Sequence, residues 1–161
     1  MAHPFEHGSP MSEEGRAYTW LDWSVNGFDG LEIWNHSSCW KTKVRNWPTA
    51  FFHYFLRTWT LGGPDPETLA KWDDLGQTRR VSGVGGSDAH AFQAQAGPLT
   101  FCIFPYRVAF QAINTHLMLK EPLTGHLDAD RDLIIKALSG GSCFIAHDRL
   151  YPSQGFDFFL V

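Results

Sequence analysis

The chain is short of charge. Asp, Glu, Lys and Arg make up 19% of its 161 residues, below the quarter or so usual in soluble domains. Lys and Arg form no cluster and the formal net charge is −4, so the basic stripe that a phosphate backbone requires is missing and nucleic acid is not expected as a partner. Long apolar runs are missing too. None approaches the ~18 residues that cross a bilayer, so no membrane association is expected. The opening "MAHPFEHGSP" lacks the basic-then-apolar order of a secretory leader, which makes a cytoplasmic location the expectation. Cysteine is scarce: Cys39, Cys102 and Cys143 are odd in number and form no CxxC, which argues against a disulfide framework or a thiolate zinc site. Cys102 and Cys143 lie within "LTFCIF" and "SCFIA", where a thiol packs as a small hydrophobe.

Aromatic residues, by contrast, are plentiful. Seven Trp and thirteen Phe in a chain that is 43% hydrophobic suffice for one packed domain over 1–161 and exclude intrinsic disorder. With so few charges to cover so many rings, apolar faces are expected to remain bare within this chain, to be covered in a homodimer or by a partner segment.

The pattern of elements is mixed. "SEEGRAYTWLDW" reads as a helix capped by Ser12, with Tyr18, Trp20 and Leu21 at helical spacing. "GFDGLEIWN" reads as a short strand over its apolar core, Leu31 to Trp34. "PTAFFHYFLRTW" reads as a helix whose inward stripe is Phe52, Leu56 and Trp59, and "PETLAKWDDLGQTRR" as another, acidic early and basic late. Strands are expected at "VSGVG" and "LTFCIF", a helix over "YRVAFQAINTHLML" with His116 on its buried stripe, a helix over "DADRDLIIKAL" stopped by Gly140 and Gly141, and strands at "SCFIA" and "FDFFLV". Alternation of this kind implies an α/β fold with largely parallel pairing and with functional residues at the carboxyl ends of strands.

The chemistry concentrates in "VSGVGGSDAHAF", residues 81–92. In extended backbone Asp88 and His90 project to one side, and carboxylate with imidazole suits Zn, Mn or Fe. The glycines at 83, 85 and 86 would let the backbone approach a ligand closely. Two other readings compete. Asp88 also suits an Asx turn, with His90 merely at the surface. Gly85-Gly86-Ser87-Asp88-Ala89 approximates the nucleophile elbow of serine hydrolases, with Asp132 and His147 following in the right order, although "HAFQAQAGP" is a poor start for the helix that an elbow needs. A further imidazole group lies in "AHPFEH", where Pro4 holds His3 extended and Glu6 and His7 follow.

Taken in order, "AHP", "GLEIWN" and "GGSDAH" resemble the later motifs of the PHP family, the polymerase and histidinol phosphatase domain. The resemblance runs from residue 2 to about residue 92 and continues more loosely to the end, with the core motifs in 1–105 and closing helices and strands in 106–161. It implies a partial distorted (β/α) barrel and hydrolysis of a phosphorylated small molecule by clustered divalent ions. His3, Asp88 and His90 match its metal ligands, Glu32 its acidic strand position, and His7 and His36 fall where near-site or substrate contacts would lie; Arg45, Arg79 or Arg80 would bind phosphate. The family's opening His-x-His and other ligands belong upstream of His3, so the chain resembles the carboxyl-terminal half of the domain. A noncatalytic remnant or interaction module, and a serine hydrolase using Ser87, stand as alternatives.

Overall fold

The computed structural model describes residues 3–11, 17–56 and 62–156. Its strands are β1 (Gly30–Asn35), β2 (Ser82–Gly86), β3 (Phe92–Ala96), β4 (Leu99–Ile103), β5 (Ile113–Leu117) and β6 (Cys143–His147). Its helices are α1 (His36–Lys43), α2 (Trp47–Phe55), α3 (Pro66–Gly76), α4 (Tyr106–Ala109) and α5 (Leu127–Ser139). The fold is α/β, and the described strands form three two-stranded sheets without closing a barrel.

Pairing is less parallel than the alternation implies. β1 and β2 pair in parallel, with an irregularity between Glu32 and Trp34, whereas β3–β4 and β5–β6 are antiparallel. Side chains join the sheets. The Thr115 hydroxyl accepts from Gly85 N at 2.9 Å and donates to Gly85 O at 2.8 Å, so it extends the ladder of β2 toward β5. Cys143 Sγ reaches Gly83 O from β6, and Ser82 Oγ donates to Leu138 O at the end of α5.

The core forms around Leu31, Ile33 and Val81, packed by Trp23, Phe28, Leu69, Trp72, Leu75 and Ile145. Full burial of a Leu or Ile side chain contributes about 1.5–3 kcal/mol, and Leu31 is wholly buried. Two glycines of β2 serve this packing. A Cβ at Gly83 would lie 2.9 Å from Trp72 Cζ2, and one at Gly85 would lie 2.6 Å from Ile145 Cγ2 and 2.8 Å from Ile113 Cγ2. These two positions are therefore small because neighbouring side chains fill the space, and only Gly86 faces the candidate site.

Several elements differ from the sequence reading. Residues 12–16 lie outside the described residues, and Ala17–Trp23 is irregular rather than helical, held by bonds from Trp20 N to Pro4 O and from Thr19 Oγ1 to Glu6 O. The helix expected over 106–119 stops after Ala109, and Ile113–Leu117 is a strand: β-branched Ile113 and Thr115 suit a pleat, and β6 supplies its partner. The helix over "PTAFFHYF" is present, but Phe52 and Leu56 face outward while Ala50 is buried; Trp59 lies outside the described residues. Of "FDFFLV" only Phe156 is described. Helix α1 and strand β3 are additions to the sequence reading.

Candidate functional site

The carboxyl ends of β1 and β2 lie side by side, with Asn35 opposite Gly86. Asn35 ends β1 in extended backbone and caps α1, its side chain accepting from Ser38 N at 2.8 Å. Its amide also donates to Glu32 Oε1 at 3.2 Å, and the other carboxylate oxygen accepts from His3 N at 2.7 Å. Gly86 completes the contact, because a Cβ there would stand 3.0 Å from Glu32 Oε1. Glu32 thus ties the His-Pro segment to the end of β2.

Beyond Gly86 the chain turns sharply. Asp88 takes φ +47° and Ala91 φ +51°, and the Ser37 hydroxyl of α1 lies at 3.0 and 2.8 Å from the carbonyl oxygens of Ser87 and Asp88. The turn brings Asp88 Oδ1 to 2.8 Å from His90 Nε2. Both side chains reach solvent, and the His90 ring stacks on Phe92 at 4.9 Å. Donor atoms 2.8 Å apart, each at a metal distance of ~2.1 Å, subtend about 85°, close to an octahedral edge, so the pair fits one divalent ion.

His3 also sits in left-handed backbone, at φ +24°. Its Nδ1 lies 3.0 Å from Glu6 Oε2 without the alignment of a hydrogen bond, which leaves a buried ring nitrogen with no hydrogen-bond partner. Glu6 itself is buried, paired with Lys41 Nζ and with Ser38 Oγ at 3.3 Å. His3, Glu6, Glu32, Asn35 and Asp65 border a cavity of about 40 Å³, room for about one water or ion. An imidazole nitrogen beside carboxylates is donor chemistry that a divalent cation takes, although the Glu6 carboxylate here already pairs with Lys41.

The three proposed ligands nevertheless do not meet. Among the described residues, the one group of three such side chains with donor atoms within 4.8 Å of one another is His7, Asp65 and Glu67. Asp65 there is the cap of α3, accepting from Glu67 N at 2.9 Å, and His7 Nε2 is 3.5 Å from Glu67 Oε2 at an exposed position. His7 thus belongs to the α3 end rather than to the Asp88 turn.

The remaining candidates have other employment. His36 is only 1% exposed, its ring against Phe104 at 4.8 Å and His147 at 6.0 Å, which makes it an interior residue rather than an open phosphate contact. Arg79 donates to Phe28 O and covers that ring, and Arg80 donates to Gly140 O; both knit the fold. An open concavity of about 730 Å³ along the end of α3 is lined by these arginines. Ser87 is followed by β3 rather than by the helix an elbow needs, Asp132 pairs with Arg131, and both nitrogens of buried His147 are without hydrogen-bond partners. Those three residues form no relay. Burial lowers the His147 pKa, which keeps its ring neutral at pH 7. Cys39 is also withdrawn from chemistry, burial pushing its thiol up to about 11.

A different Ser, His and Asp do converge. His116 Nε2 lies 2.9 and 3.1 Å from the two Asp148 oxygens, Ser153 Oγ lies 3.0 Å from that nitrogen and 2.5 Å from Asp148 Oδ1, and Asn114 Nδ2 donates to Oδ2 at 2.8 Å. A relay needs separate imidazole nitrogens for acid and nucleophile. Here one nitrogen serves both, so the group clamps residues 148–153 onto β5. Sequence reading missed it because His116 falls on an apparent helical stripe; the alternation of Asn114 and His116 was the available signal. Asn35, an Asn between a strand and a helix, was likewise legible as a cap. Compared with known proteins, the chain matches no family model, no curated protein and no solved structure.

Proposed function

We propose that the chain carries part of a divalent-metal phosphoesterase site of the PHP type, on a partial (β/α) framework, with Asp88 and His90 as ligands and His3 as a third from the neighbouring segment. The observation that carries the reading is the pairing of Asp88 and His90 at 2.8 Å just beyond the carboxyl end of parallel β2, whose Gly86 abuts Glu32, the acceptor of the His3 backbone N–H. Backbone strain supports it. His3, Asp88 and Ala91 are three of the four non-glycine residues with positive φ among the described residues, and such conformations, at about 1–3 kcal/mol each, gather at functional sites.

Bound ions there, Zn, Mn or Fe, would supply positive charge against phosphate oxygens and acidify water at neutral pH. The chain's own residues do the positioning. Ser37 fixes the carbonyls of the Asp88 turn, Glu32 holds the His3 backbone, and Asn35 orients Glu32. The substrate class is a small phosphate monoester. Hydrolysis of p-nitrophenyl phosphate by the full chain with added Mn or Zn, abolished by chelator and by Asp88→Ala, tests the reading; activity indifferent to both contradicts it.

Among the described residues His3 forms no cluster with Asp88 and His90, which favours a second reading, a module that holds metal without turning over. Metal bound by Asp88 and His90 with no phosphatase activity distinguishes it.

A further inference from the structure

Among the described residues the outer edge of β3 in the β3–β4 hairpin is unpaired, and we infer that a second copy of this chain pairs with it, β3 against β3, to form a dimer through a four-stranded antiparallel sheet. The hairpin closes on Gly97-Pro98, Gly97 at φ +59°, with Ala96 opposite Leu99. Residues flanking a two-residue turn bond each other, and the antiparallel ladder alternates from there. The backbone groups of Gln93 and Gln95 on β3, and of Cys102 and Thr100 opposite them, therefore point away from the hairpin.

The two edges are treated differently. On β4 the outward Cys102 carbonyl accepts from Tyr54 Oη at 3.0 Å, so α2 blocks that end of the edge while Thr100 at the other end stays exposed. On β3 the described residues pair no strand other than β4. Nor does β3 carry a device that keeps edges apart: "FQAQA" contains no charge, no proline and no bulge. Pairing of β3 with β3 about a two-fold axis uses the same edge on both copies and closes at two chains.

The occupant is a second copy because the surface is complementary to itself. Residues 91–106 contain no Asp, Glu, Lys, Arg or His, so two chains of net charge −4 meet there without repulsion. With the dyad at Ala94, Gln93 of each chain exchanges backbone hydrogen bonds with Gln95 of the other. Phe92 and Leu99, 59% and 67% exposed, flank the junction. The chain has surface to spare: its accessible area of 10716 Å² is about a third above the ~8,100 Å² expected for a folded chain of 18.2 kDa, and a stable dimer needs only about 800 Å² from each copy.

Light scattering coupled to size exclusion on the full chain tests the inference. The expected mass is twice 18.2 kDa. Gln95→Pro removes an outward N–H and obstructs the incoming strand while sparing the β4 ladder, and it should return the mass to one chain with an unchanged circular dichroism spectrum. Gln93→Lys places like charges beside the dyad and should do the same, which keeps the test open should the proline variant misfold. A wild-type chain that stays at single-chain mass, or a doubled mass that survives Gln93→Lys, overturns the inference.

Discussion

Replacing Gly85 by alanine tests whether β2 is held by close packing on the β5–β6 hairpin. The added methyl would stand 2.6 Å from Ile145 Cγ2, 2.8 Å from Ile113 Cγ2 and 3.2 Å from Trp34 O, well inside contact distance on three sides. Neither isoleucine moves freely, since Ile113 and Ile145 sit in paired strands and the Thr115 hydroxyl fixes the Gly85 backbone from the same hairpin. Overpacking of this kind costs about 1–3 kcal/mol, which for a chain of this size lowers the melting temperature by about 2–12 °C. Gly76→Ala is the control. That position ends α3 with nothing within 4 Å of the added carbon, and helix propensity favours alanine over glycine by up to about 1 kcal/mol. Thermal melts of both variants by circular dichroism should therefore move in opposite directions. A Gly85→Ala melt equal to wild type would refute the packing of β2 described above, and with it the placement of the Asp88 turn.

Acid should loosen the chain through His147. Its folded pKa is depressed, chiefly by burial, so the ring contributes stability that is fully present above the unfolded value of ~6.5 and is lost as pH falls toward the folded one. Denaturant midpoints at descending pH should fall in that window, and less so in His147→Phe; identical pH profiles would contradict the assignment. Asp148→Asn should destabilise by about 1–3 kcal/mol, because it neutralises the acceptor shared by Ser153, Asn114 and His116. Burial raises the Asp148 pKa, but those three hydrogen bonds outweigh it and hold the carboxyl below its usual range; its contribution is present above pH ~4 and disappears as pH falls. Urea melts at neutral and strongly acidic pH should therefore separate the variant from wild type only at the former.

Much of the scaffold was legible because its elements carry independent local signals. β1, β2, β4 and β6 are short apolar runs between turn residues, and α3 has Asp65, Pro66 and Glu67 in capping order. β5 was misread because Ala109, Ala112, Ile113 and His116 fall at helical intervals by chance, and only the pairing with Cys143–His147 decides between periods. α1 escaped notice since "HSSCWKTK" has no apolar face; the Asn35 cap and the adjoining strand make it helical. The candidate site was half legible. Asp88 and His90 are neighbours along the chain, so a single local turn suffices to pair them, whereas the fate of His3, His7 and His36 depends on which surfaces α1 and α3 bring to them. Nothing in "EIWNHSS" marks His36 as an interior ring.

The turn after β2 is proposed to hold metal. Elemental analysis of the chain, purified and then dialysed against Zn or Mn, is the direct measurement, made on wild type, Asp88→Ala and His90→Ala. The account predicts close to stoichiometric metal in wild type and its loss in both variants, with their circular dichroism spectra unchanged. Metal retained undiminished in both variants, or wild type that binds none, would contradict it.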